Sequence, residues 1–199
     1  MISALREDGV FEHAGETALL PGFLVRKAAM HDIGPILALI NGYAAKGVML
    51  PRTELEVSED IRDFSVIVRE GRLVGCGALH FYTPSIAEIR SLAVAEEVKT
   101  NGIGRRLIEA LVREAAEYSL DAVFAFTYVP GFFCKMGFAE VERGELPLKA
   151  WKDCVRCPKF QCCDEIAVLR VLRPEFCRNN QQYRQGEDMQ FVQLPVLRC

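Results

Sequence analysis

The stretch that most constrains this chain is Lys99-Thr100-Asn101-Gly102-Ile103-Gly104-Arg105-Arg106, set between an apolar run, Ile89 to Val94, and an amphipathic run, Arg105 to Tyr118. An apolar run, a Gly-bearing turn and a 3.6-period stripe in that order predict strand, turn and helix. Such a turn presents consecutive backbone N–H groups, and the helix behind it adds the positive end of its dipole. Together they make a seat for phosphate. The two glycines let the backbone approach a ligand closely and adopt positive φ, and Arg105 and Arg106 can add charge-assisted contacts. Two familiar phosphate patterns fail on spacing. A P-loop needs Lys and Ser/Thr directly after its second glycine, where this chain has Arg105 and Arg106, and a dinucleotide fingerprint needs a further glycine where Leu107 stands.

Around this turn the chain alternates strand and helix signals. Residues 1–22 show no clear period and are expected to form a tail. Phe23-Leu24-Val25 starts a strand, and Asp32 is a candidate N-cap for a helix with Pro35 in its first turn and Ile33, Ile36, Leu37 and Ile40 on one face. Leu55 to Asp63 reads as a second short helix. Phe64 to Arg69 and Leu73 to Tyr82 form a hairpin around Glu70-Gly71-Arg72, and Ala87 to Val94 is the strand entering the glycine turn. Leu107, Ile108, Leu111, Val112, Ala115 and Ala116 make a wide apolar stripe expected to pack on the sheet. Ala122 to Thr127, Phe138 to Val141 and Ile166 to Leu172 are further strands, with a helical turn at Phe132 to Met136. Residues 174–199 are expected to be an extension with one strand, Met189 to Leu194.

The spacing Lys99-x-x-Gly102-x-Gly104 resembles the acetyl-CoA motif of the GNAT acetyltransferases, with Lys99 where that family usually carries Arg or Gln. Phe132-Phe133-Cys134-Lys135-Met136-Gly137-Phe138 resembles the family's closing aromatic and Gly-Phe motif. The resemblance covers roughly residues 23–172. It implies an α/β (α+β) fold: a mixed central sheet, flanked by helices, with a V-shaped splay that admits acetyl-CoA as cosubstrate. The cofactor would lie against Leu92, Ala93 and Val94, against Lys99, Thr100, Asn101, Gly102, Ile103, Gly104 and Arg105, and against Phe133.

Four stretches resemble, more finely, the acetyltransferase domain of N-acetylglutamate synthases: Met49 to Arg52, Ala87 to Val94, Phe132 to Phe138, and Leu146 to Cys154. Phe133 stands where many GNAT enzymes carry a tyrosine acid, as in synthases of this type. The resemblance is to short, free-standing forms without the amino-acid-kinase domain. It implies transfer of acetyl to the α-amine of L-glutamate, the first step of arginine biosynthesis. Glu88 is the candidate general base, directly or through a water, although alternation also puts it on one face with Arg90. Tyr128 is the candidate acid, with solvent as the alternative. A substrate with two carboxylates needs cations. Arg52, Arg90, Lys152 and Lys159 are the candidates. Ala150 and Trp151 stand where long synthases carry arginines, which leaves glutamine and related acceptors open.

Composition narrows the partners. The net charge of −3 gives no reason to expect nucleic acid, and no apolar run approaches a membrane span of ~20 residues. Without a signal-peptide pattern, a cytoplasmic location is expected, as a monomer or homodimer. Eight cysteines are present. Cys154, Cys157, Cys162 and Cys163 have partial zinc spacing, but the second pair is adjacent and the histidines at 13, 31 and 80 lie far upstream, so no metal is expected. Reduced thiols are the expectation and a redox disulfide the alternative. Two other functions stay open: acetylation of another small amine or of a protein N-terminus, and a non-enzymatic acyl-CoA or redox sensor.

Overall fold

The computed structural model of the chain describes residues 22–146, 157, 159 and 162–173. The expected tail and extension, Lys152, Cys154, Cys177 and Cys199 lie outside the described residues. Seven strands are described: β1 (Phe23–Lys27), β2 (Phe64–Arg69), β3 (Arg72–Phe81), β4 (Ile86–Val94), β5 (Ala122–Thr127), β6 (Ala139–Val141) and β7 (Ile166–Val171). Four α-helices accompany them: α1 (Ile33–Ala44), α2 (Glu54–Glu59), α3 (Ile103–Glu117) and α4 (Pro130–Cys134). The sheet order is β1-β2-β3-β4-β5-β7-β6. All neighbours are antiparallel except β4 and β5.

Local chemistry explains most of these elements. The β2–β3 turn places Glu70 at φ 49° and Gly71 at φ 76°, the two positive values that a tight two-residue hairpin requires. The α3 stripe buries Ile103, Leu107, Ile108, Leu111, Val112 and Ala115. Its middle and last turns pack on Leu79, Ala87, Ile89 and Val123. On the other face, Ile33, Ile36 and Ile40 of α1 pack on Val66, Cys76 and Ala78. Burial there pushes the Cys76 thiol up to about 12.

The start of α1 differs from the expected cap. A 3-10 turn, Met30–Asp32, precedes the helix, and the Asp32 carboxylate accepts the Ala29 amide at 2.8 Å. Arg26 grips the same carboxylate with two bonds, 2.6 and 2.9 Å. Asp32 therefore caps one turn earlier than the spacing suggests and ties the helix to β1. Leu55 to Asp63 also divides, into α2 and a 3-10 turn at Ile61–Asp63, with Thr53 capping α2 through the Glu56 amide.

Two irregularities shape β4. The register with β3 shifts between Cys76 and Ala78, and Ser91 opposite takes φ 54°. This bulge bends the strand. On its other edge β4 pairs with β5 only from Ile86↔Ala122 to Glu88↔Phe124. β4 runs on to Val94, while β5 follows β7 as far as Thr127↔Ile166. Two parallel strands that stop pairing partway leave a wedge, the splay expected for this fold.

Candidate active site

The wedge opens into a cleft of about 860 Å³ lined from β4, the start of α3, the end of β5 and the loop after α1. Ala95 N–H donates to the Val74 carbonyl at 2.8 Å. Strand N–H groups alternate sides, so the Val94 amide turns away from β3 and toward the wedge, and the Leu92 amide follows it. At the wedge's mouth a 3-10 turn, Glu96–Asn101, ends on Gly102 at φ 70°. The first bond of the α3 ladder runs from the Arg106 amide to the Gly102 carbonyl at 3.1 Å. The amides of Ile103, Gly104 and Arg105 precede that ladder and carry the positive end of the helix. This donor set fits a pyrophosphate, and the wedge behind it fits a slender thioester arm.

The two glycines differ from expectation. Only Gly102 takes positive φ. Gly104 is helical, and its role is clearance: a Cβ there would lie 3.1 Å from Phe132 Cζ. Ile103 is fully buried among Val98 and Leu107, so its side chain belongs to the core and only its backbone is available. Thr100 and Asn101 fall in the 3-10 turn ahead of the helix. Lys99 lines the cleft with its ammonium 2.9 Å from Glu96 and 4.8 Å from the Tyr43 ring centre. Lys99, then Lys46, hold the Glu96 carboxyl down to about 2. Arg105 lines the cleft and pairs with Glu109 at 2.7 Å. Phe133 is buried edge-on to Phe138 and also borders the cleft.

At the far end of the cleft the proposed chemical groups come together. Glu88 is 8% exposed and accepts from Tyr82 Oη at 2.9 Å. Arg90 donates to Asp60 at 2.7 Å, beside Asp63 and His80, whose ligand atoms and those of Asp60 lie within 4.8 Å of one another. Arg52 sits in the loop between α1 and α2, as expected. Asn41 clamps its backbone with two bonds of 2.9 Å, one to the carbonyl and one from the amide. Lys159 donates to Tyr128 Oη at 3.3 Å and to Asp164 at 3.3 Å. Burial raises the Tyr128 phenol above its ordinary value, against the pull of Lys159, so Tyr128 carries its proton at neutral pH.

Phe132, Cys157 and Cys163, marked in the sequence by the closing aromatic motif and the cysteine cluster, line the cleft, and so do Tyr43, Arg143 and Glu165, which no motif marks. Arg143 lies in a 3-10 turn after β6, and Cys157, Cys163 and Glu165 flank Cys162 or lead into β7. No local period marks Arg143 or Glu165, because the pairing of β6 with β7 brings them to the site. Cys162 forms a disulfide, which corrects the expectation of uniformly reduced cysteines, whereas Cys76, Cys134, Cys157 and Cys163 are free thiols. Among the described residues, no helix is long and apolar enough to cross a membrane.

The splayed sheet, the amides at its mouth and the polar far wall define an N-acetyltransferase that uses acetyl-CoA. Comparison with known proteins agrees. Residues 42–138 match the acetyltransferase (GNAT) family. An uncharacterized N-acetyltransferase of Chlorobaculum tepidum is 45% identical over 74% of this chain and 96% of its own length. An amino-acid acetyltransferase of Mycobacterium tuberculosis is 34% identical over 60% of this chain and 70% of its own. The chain spans about a third of longer relatives, such as the Aliivibrio fischeri amino-acid acetyltransferase, 31% identical over 74% of this chain and 33% of that protein. The structure of N-acetylglutamate synthase from Neisseria gonorrhoeae, complexed with coenzyme A and N-acetyl-glutamate, superposes with a TM-score of 0.70 at 27% identity over 76% of this chain and 35% of that one. The chain belongs to the GNAT acetyltransferase family.

Proposed function

We propose that the protein acetylates the α-amine of an acidic amino acid, L-glutamate first, by direct transfer from acetyl-CoA. The observation that carries the reading is the composition of the cleft's far wall. In a chain of net charge −3, Arg52, Arg90, Arg143 and Lys159 line the cleft together with Glu88 and Glu165. A zwitterion with an added carboxylate matches such a wall in charge. The relatives named amino-acid acetyltransferase and the synthase structure holding N-acetyl-glutamate support the same acceptor class. On this reading the product feeds arginine biosynthesis.

Acetyl-CoA supplies an acetyl thioester. Glu88 takes the proton from the acceptor ammonium, directly or through one water, and so frees the amine lone pair for attack. The Leu92 and Val94 amides donate to the carbonyl oxygen as it gains charge, where one such donor is worth ~3 kcal/mol. As the C–S bond breaks, Tyr128, protonated at neutral pH, gives its proton to the departing sulfur, and the second proton shed by the nitrogen as the amide forms passes through solvent to restore Tyr128. Arg52 orients the acceptor carboxylate, and Tyr82 holds the Glu88 carboxylate in place. Bringing both substrates into one cleft contributes up to ~7–11 kcal/mol.

The test is release of free CoA thiol against a panel of amino acids, other small amines and an N-terminal peptide. Release with glutamate above all others is the expected result. Release only with uncharged amines or the peptide overturns the acidic acceptor while leaving the acetyltransferase intact.

A further inference from the structure

We propose that Arg143 receives a carboxylate of the acceptor amino acid. Its guanidinium is held in place by one nitrogen. Nη2 donates to the Cys163 carbonyl at 3.4 Å, to Cys163 Sγ at 3.1 Å and to the Glu165 carbonyl. The plane lies 5.7 Å from the Phe126 ring centre. Backbone carbonyls, the Cys163 thiol and a ring face fix the group, and no described carboxylate hydrogen-bonds to it. Among the described residues, every hydrogen bond that Arg143 makes runs through Nη2, and none is made by Nη1 or Nε. No polar side-chain atom among the described residues is both buried and unpartnered, so these two nitrogens reach solvent, on a residue that lines the cleft.

The other cations of this wall are placed differently. Arg90 has Asp60 as a carboxylate partner, and Lys159 has Asp164. Glu165, the carboxylate beside Arg143, accepts from Cys163 Sγ at 3.8 Å rather than from the guanidinium; burial raises its pKa, and the nearby Arg143 charge pulls it back down. An arginine immobilised before binding loses little rotamer freedom when it meets an anion. Arg143 also reaches the cleft from the β6–β7 side, whereas Arg52 reaches it from the α1–α2 loop. Two cations on two walls suit an acceptor with two carboxylates. The proposal rests on the amino-acid acceptor reading above.

The experiment is steady-state kinetics of R143Q and R143K with acceptor and acetyl-CoA varied separately, on protein checked by thermal denaturation. R143Q should raise the KM for glutamate roughly 10- to 100-fold, the range for a lost hydrogen bond to a charged group. Its KM for acetyl-CoA should change little, and R143K should recover part of the loss. A parallel rise with glutamine assigns the α-carboxylate, and a rise confined to glutamate assigns the side-chain carboxylate. Either pattern supports the proposal. A folded R143Q with wild-type KM for glutamate overturns it and leaves the acceptor reading standing. If R143Q does not fold, R143K decides, and an unchanged glutamate KM there overturns the proposal. If wild type prefers another carboxylate-bearing amine, the acceptor identity fails and the same series is run with that amine. If wild type uses only amines without a carboxylate, both fail.

Discussion

Substitution of Gly104 by valine separates the two jobs of this turn. A Cβ at Gly104 would meet Phe132 Cζ at 3.1 Å and Val94 Cγ2 at 3.8 Å. Carbon pairs settle at about 3.5–4.0 Å, so the ring must retreat by about half an ångström. Phe132 is not free to do so, since it packs edge-on against the buried Phe133 at 5.5 Å. Overpacking of this kind costs about 1–3 kcal/mol. Removing a helical glycine returns up to about 1 kcal/mol for alanine and less for β-branched valine. The balance for G104V is a loss of about 1–2 kcal/mol, or about 2–8 °C in Tm for a chain of this size. The added methyls also crowd the amides of Ile103, Gly104 and Arg105, so CoA affinity should fall at least about tenfold, or ~1.4 kcal/mol. Thermal denaturation and calorimetry with CoA measure the two effects. G102A is the contrast. Nothing lies within 4 Å of its Cβ, but φ is 70°, so it costs about 1–2 kcal/mol through the backbone alone. A folded G104V with wild-type CoA affinity would refute the assignment of these amides to the pyrophosphate.

Glu88→Gln should lower kcat about 10²- to 10⁴-fold while sparing CoA affinity, because the loss is in proton transfer, and its rate should no longer fall at acid pH. An unchanged pH–rate profile would return Glu88 to a structural role beside Tyr82. Arg52→Ala should cost about 2–5 kcal/mol in kcat/KM for glutamate, as for a truncated charge pair, with Arg52→Lys between it and wild type. Equal glutamate kinetics in all three would remove Arg52 from the acceptor site. Burial disfavours the Asp32 carboxylate, but the Arg26 bonds and the Ala29 amide hold its pKa below the ordinary value. Its stabilisation is therefore present above the unfolded pKa of about 4 and is lost as pH falls through the lower folded value. Asp32→Asn should destabilise the fold by about 1.5–3 kcal/mol at neutral pH. The gap in urea midpoint between variant and wild type should close in acid, and a pH-independent gap would contradict the ion pair.

Much of the fold is legible residue by residue, since it rests on short-range regularities. The apolar run from Phe64 to Val68, the positive-φ turn at Glu70-Gly71 and the apolar stripe of α3 each declare themselves within a few residues. The motif spacing at Lys99, Gly102 and Gly104 likewise marks the turn that leads into α3. Local regularity also misleads where a neighbour from elsewhere intervenes. Asp32 caps a turn earlier than its position suggests because Arg26 of β1 holds its carboxylate. Gly104 is needed for the ring of Phe132 rather than for its own backbone angle.

The sequence by itself determined the order of strands and helices, the hairpin, the donor-rich turn and the candidates Glu88, Arg52 and Tyr128, because periodicity, turn chemistry and motif spacing are properties of neighbouring residues. Only the tertiary structure decided the rest. β4 and β5 part after three paired residues, Arg143 and Lys159 come to line one cleft with Arg52, and Cys162 is oxidised while Cys157 and Cys163 are not. Those outcomes depend on pairings between residues far apart in the chain. Their free energy comes from contacts that exist only once the sheet has closed on α1 and α3.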